Sequence, residues 1–152
     1  MTISQLAVTM LLAATLTAAE DPFVGTWKLD LNKTKLNPTA PKSWKTEIGF
    51  KVEAVGENQH HITGFDPDGK VTETHDNIFD GKEREEEHGW WLHKAIRINE
   101  RHVRITEKGA KGTTVSDAVV SDDGKTMTET FQGNSARGGR PLEGAVLVWR
   151  KQ

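Results

Sequence analysis

Turn chemistry punctuates this chain every 10–15 residues. Its signals are Val55-Gly56-Glu57-Asn58, Asp66-Pro67-Asp68-Gly69, Asp80-Gly81, Asn99-Glu100, Lys108-Gly109-Ala110-Lys111-Gly112, Asp122-Asp123-Gly124 and Gly138-Gly139-Arg140-Pro141. Asp-Gly and Pro-Asp-Gly supply the backbone angles that tight hairpins need. The segments between turns are too short for long helices. The clearest alternates strictly: Trp44, Thr46, Ile48, Phe50, Val52 and Ala54 fall on one face, and Lys45, Glu47, Gly49, Lys51 and Glu53 on the other. A period of two over that length predicts a half-buried strand. Further strands are predicted at about 24–31, 59–65, 70–79, 88–98, 101–108, 113–121, 125–132 and 143–151. Residues 32–43, with Pro38 and Pro41, read as a loop over one end. Antiparallel strands in this number leave two open edges unless the sheet closes on itself. The expected fold class is therefore all-β, an up-and-down antiparallel β-barrel of about 8–10 strands. An immunoglobulin-like sandwich is the competitor.

Residues 1–19 contain no Asp, Glu, Lys or Arg, and Leu6–Leu16 is an apolar run of about 11 residues, too short to span a bilayer. Thr17-Ala18-Ala19 suits cleavage, and Glu20-Asp21-Pro22 opens a charged sequence, so 1–19 reads as a secretory signal peptide and 20–152 as one domain. A periplasmic or secreted location is expected. The chain has no cysteine, so neither a disulfide nor a thiolate metal site is available. Net charge is −2 with both signs interspersed. No basic block supports nucleic-acid binding, and no membrane span is expected. Lys82 to Glu87 reads as a solvated charge run.

Gly25-Thr26-Trp27 at the start of the first strand, with Arg150 on the last, resembles the lipocalin/calycin superfamily of closed β-barrels. The resemblance implies that Trp27 plugs the closed end and that Arg150 packs across it. A guanidinium over an indole contributes roughly 0.5–2 kcal/mol. Parity agrees if Val146 and Val148 point inward, because Arg150 shares their face. Phe23–Asp30 and Ser121–Thr128 also look like the small exported lipocalin-like proteins of bacteria that have no assigned activity. The chain departs from the superfamily's branches in several places. It lacks the lipocalin disulfide, has no room for a helix after the barrel, and offers no candidate for the helical lid of the fatty-acid-binding proteins. The Gly-x-Trp-x-Gly-x-Gly pattern of nitrobindin-like barrels stops at Trp27.

Four groups of residues are candidates for chemistry. His60, His61, His75, His88, His93 and His102 lie mid-chain. His93 and His102 flank a hairpin and suggest cross-strand neighbours, but no metal-binding spacing is present. In Trp90–Ile98 the apolar count favours Trp90, Leu92, Ile96 and Ile98 inward. The opposite parity would bring Trp91, His93, Ala95 and Arg97 inward, a lining suited to an acidic or amphipathic ligand. Asp66–Gly69 and Asp122–Gly124 read as turns rather than calcium loops. Ser135–Pro141, with Arg137 and Arg140, reads as a loop at the barrel mouth. There is no Gly-x-Ser-x-Gly and no tyrosine. Carboxylate pairs such as Glu73/Asp76 and Asp117/Glu129 do not stand out from surface charge.

The expected function is non-catalytic: an exported, monomeric lipocalin-like protein holding a small hydrophobic or amphipathic molecule. Trp44, Ile48, Phe50, Trp91, His93 and Arg97 are the expected lining, and Gly25, Trp27 and Arg150 the structural motif. No catalytic residue, metal or cofactor is assigned. The alternatives are a barrel lyase or isomerase using His93 or His102 as base, and an inhibitor or interaction module with a filled barrel.

Overall fold

The computed structural model describes residues 20–86 and 89–152. The expected leader, residues 1–19, and His88 lie outside the described residues. Ten strands follow in chain order: β1 (Gly25–Leu29), β2 (Gly49–Ala54), β3 (Gln59–Phe65), β4 (Val71–Ile78), β5 (Arg84–Glu86), β6 (Trp91–Asn99), β7 (His102–Gly109), β8 (Gly112–Val120), β9 (Thr126–Gly133) and β10 (Val146–Lys151). They form one antiparallel sheet, ordered β4-β3-β2-β1-β10-β9-β8-β7-β6-β5. The first and last strands pair, Trp27 opposite Lys151. The sheet curls until β4 lies against β6. There Asn77 meets His93 at 2.9 Å, and the Gly81 N–H donates to the Ala95 carbonyl at 3.1 Å. The fold class is as expected, an up-and-down antiparallel barrel.

The turns form where the sequence placed them. Asp66 Oδ1 accepts the N–H groups of Asp68 and Lys70 at 3.0 and 2.9 Å. Asp123 Oδ1 accepts that of Lys125 at 3.0 Å. These carboxylates anchor their own turns. The alternating segment is shorter than expected: β2 begins at Gly49, and Lys42–Lys45 form a single 3₁₀ turn. The Pro41 carbonyl accepts Trp44 N–H at 3.1 Å there, so the chain bends over the open end before the strand starts. Gly133 closes β9 at φ +82°, and a Cβ on it would lie 2.2 Å from the Thr113 carbonyl oxygen. Only glycine fits that approach.

Trp27 is fully buried at the closed end among Phe23, Val103, Val120 and Met127. Its indole N–H donates to the Phe23 carbonyl at 2.8 Å, leaving no buried donor unpaired. The expected contact with Arg150 does not form. Leu147, Trp149 and Lys151 take the inward parity on β10, and the Lys151 ammonium sits 5.3 Å from the Trp27 ring centroid. Arg150 points outward, with Nε 3.3 Å from Asp30 Oδ2. The valines misled because they are covered on the outside of the barrel. Lys35 pairs with Val146, and the Val148 N–H donates to Thr34 Oγ1 at 3.1 Å. The segment after β1 therefore packs on the outer face of β10.

Candidate functional site

The barrel encloses a cavity of about 680 Å³, within the size range of small-molecule sites. It opens at the end where the 66–70 turn, the 134–145 segment and the 3₁₀ turn meet. The 134–145 segment is tied to the loop that leads into the 3₁₀ turn: Asn37 Nδ2 donates to the carbonyls of Pro141 and Glu143 at 3.0 and 3.2 Å, and Thr39 Oγ1 to Pro141 at 2.7 Å.

One side of the wall is apolar. Ile48 comes from just before β2, Phe50 and Val52 from β2, Ile62 from β3, and Leu147 and Trp149 from β10. Phe50 meets Trp149 edge-on at 4.7 Å, and at the mouth Trp44 meets Phe131 at 4.8 Å. The other side carries polar groups on the inward parity of β4 and β6–β9: His75 and Asn77, then His93, Glu107, Thr114, Ser116 and Glu129. His93 Nε2 donates to Asn77 Oδ1 at 2.9 Å, and its Nδ1 lies 3.9 Å from Glu107 Oε1. Burial lowers the pKa of His75, opposed by the charge of Glu73.

Glu129 is displaced upward, against the trend of the other shifted carboxyls. It is packed around by protein, and what surface it retains opens on the cavity. Burial pushes its carboxyl up to about 7, against the lowering effect of hydrogen bonds from Trp149 and Ser116; the charge of Glu107 adds to the rise. The Trp149 indole N–H donates to Oε2 at 3.3 Å. Sequence reasoning did not separate Glu129 from surface charge. A signal was present: it sits at i+2 from Met127 and i−2 from Phe131, both buried, so strand parity alone turns it inward.

The floor is a separate polar cluster. Arg97 Nη2 lies 2.7 Å from Asp21 Oδ2 and 2.9 Å from His60 Nε2. Its guanidinium stacks on Phe79 at 4.8 Å. Burial alone would raise the Asp21 carboxyl pKa. Hydrogen bonds from His60, the Phe23 N–H and Arg97 outweigh that and hold it well below the usual range.

The expected lining residues thus divide. Trp44, Ile48, Phe50 and His93 lie on the cavity wall. Trp91 is buried at the rim with the Arg137 guanidinium stacked 3.7 Å from its ring centroid, and Arg97 lies in the floor. The parity favoured by the apolar count on β6 is reversed: Trp90 is 76% and Ile98 47% exposed. Inward, Lys94 would have brought an ammonium among apolar side chains, whereas His93 finds Asn77 and Arg97 finds Asp21. Arg97 is held by Asp21 and His60 through Nη2, while its Nε is buried without a hydrogen-bond partner. His102 is no neighbour of His93. It lies on the outer face, 2.6 Å from Asp117, which Arg104 also binds. Among the described residues no cluster of three or more His, Asp or Glu is placed to hold a metal ion.

Neither a protein-family model nor a curated protein matches this sequence. Solved structures do. Secretory abundant heat soluble protein 4 from Ramazzottius varieornatus aligns at TM-score 0.63 with 14% identity, over 90% of this chain and 99% of that one. A Schistosoma mansoni fatty-acid-binding protein in complex with arachidonic acid aligns at 0.59 with 16% identity, over 89% and 99%. A mutant of the fluorescent protein UnaG aligns at 0.59 with 14% identity, over 86% and 96%. Likeness at such identities establishes architecture alone, and the architecture these chains share is the antiparallel β-barrel seen here with ten strands.

Proposed function

We propose that this protein is an exported, non-catalytic carrier that holds one small hydrophobic or amphipathic molecule inside its barrel. The observation that carries this reading is the cavity: about 680 Å³, walled by Phe50, Ile62, Leu147 and Trp149, with a few polar groups on the facing strands. Apolar ligand surface buried there contributes about 25 cal/mol per Å² before the costs of immobilisation. The arachidonic acid in the Schistosoma barrel is in keeping with this. A filled interaction module would leave no such space. Export rests on the leader-like sequence of residues 1–19.

The test is uptake of a neutral fluorescent probe, N-phenyl-1-naphthylamine, by residues 20–152, alongside native mass spectrometry of protein recovered from the periplasm. Saturable uptake at one site is expected, lost in Ala118→Phe, which projects a ring into the cavity. Absence of uptake together with a bare protein mass would overturn the reading.

One observation favours a second reading. His93 lies in the cavity with Nε2 committed to Asn77, leaving Nδ1 toward Glu107, the arrangement of an oriented base. An enzyme of this kind would turn over a ligand that the carrier releases unchanged, and His93→Gln would abolish that turnover.

A further inference from the structure

The cavity wall carries carboxyl groups and, among the described residues, neither lysine nor arginine: Glu73, Glu107 and Glu129 all line it. The interior arginine lies in the floor, where Nη2 is bound to Asp21 and His60 and Nε is buried without a hydrogen-bond partner. Lys151, the cation nearest Trp27, donates to the Pro22 carbonyl at 3.3 Å, at the closed end. A carboxylate ligand entering this space would meet like charge and find no guanidinium, and burying an unpaired charge is costly.

The converse ligand fits. Glu129 and Glu107 face the cavity from β9 and β7, and Thr114 and Ser116 supply hydroxyls from β8 between them. Trp149 and Phe50 supply aromatic surface on the neighbouring wall, which also attracts a cation. We infer that the barrel selects a lipophilic amine, with its ammonium paired to Glu129 and its apolar body against Phe50, Ile62 and Leu147. This inference rests on the carrier reading and specifies its ligand class. The raised pKa of Glu129 is in keeping: a carboxyl that ionises with difficulty in the empty barrel gains the counter-charge it lacks when an ammonium arrives.

Three ligands of one chain length separate the ideas: dodecylamine, dodecan-1-ol and dodecanoate, each displacing N-phenyl-1-naphthylamine at about pH 8, where the amine is charged and the acid ionised. The amine is expected to bind at least about tenfold more tightly than the carboxylate, a difference of about 1.4 kcal/mol, with the alcohol between them. Glu129→Gln keeps the shape and an acceptor for Trp149, and should bring the amine down to the affinity of the alcohol. Glu57→Gln, on the exposed β2–β3 turn, should change nothing and so controls for surface attraction. Dodecanoate binding as tightly as dodecylamine, or an amine-to-alcohol ratio unmoved by Glu129→Gln, would overturn the amine inference while leaving the carrier intact. Failure of the probe and all three ligands to bind would overturn both.

Discussion

Glu129→Gln has a stability signature that is independent of any ligand. Burial holds this carboxyl near 7 rather than 4.5. At 1.36 kcal/mol for each pH unit, ionising it in the native state carries about 3 kcal/mol more cost than in the unfolded chain. Because its surface opens on the cavity, water relieves part of that cost, and about 1–3 kcal/mol is the expected range. The sign follows from proton binding. Between about pH 4.5 and 7 the folded protein holds more protons at this site than the unfolded chain, so its contribution to stability falls as pH rises, and the penalty is complete above about 7. Glutamine has no such slope. Urea midpoints followed by tryptophan fluorescence should therefore coincide for the two proteins near pH 4.5. They should diverge toward pH 8, with the variant the more stable. Titratable groups face Glu129 from the packed strands: Glu107 on β7, His93 on β6, and Glu73 and His75 on β4. Burial depresses His75, which gives stability the opposite slope near its normal range, but it is common to both proteins and cancels in their difference. A difference that does not vary with pH, or a variant less stable at pH 8, would refute the argument. Either result would mean that the carboxylate is held by a partner worth more than its desolvation.

Trp27→Ala should lose about 3–5 kcal/mol in urea unfolding, because it empties a site with no exposed surface. Arg150→Ala should lose less than about 1 kcal/mol, since Arg150 is itself half exposed and Asp30 also accepts the Asn32 N–H; comparable losses from the two would refute the division of roles. Arg97→Met should cost about 2–4 kcal/mol at neutral pH by stranding Asp21. Asp21 is held below its normal range, so its contribution is present above about pH 4 and drains away as pH falls further. The gap between wild type and Arg97→Met should narrow with it, and a gap constant to about pH 2 would show that packing on Phe79, not charge, is what was lost.

The barrel was legible because its determinants are local. Asp-Gly turns at Asp80-Gly81 and Asp123-Gly124 set hairpin positions through backbone angles alone. The alternation of Ile48, Phe50 and Val52 needs only one buried face to make sense. Trp27 was legible as a plug only through the resemblance that Gly25-Thr26-Trp27 carries. The length of β2 was less so, because Trp44 and Thr46 keep the alternating register while Pro41 bends the chain over the mouth.

The site was harder to read, for a reason particular to a curled sheet enclosing empty space. Face assignment by apolar count assumes that inward means most apolar. On β10 that assumption fails because the segment after β1 buries Val146 and Val148 from outside. On β6 it fails because the interior is a cavity with polar groups already paired across it, so His93 and Arg97 are at home inside while Trp90 stands exposed at the rim. The more reliable signal is the lone charge among buried neighbours. Glu129, between Met127 and Phe131, occupies a position where apolar packing sets the direction and the carboxylate must follow, and Glu107 follows the inward parity of Val103 and Ile105 toward the more open part of the cavity. A strand of a filled barrel would exclude such a residue at a cost of several kcal/mol. Its presence at two positions facing the same space is what an interior built to receive a counter-charge would contain.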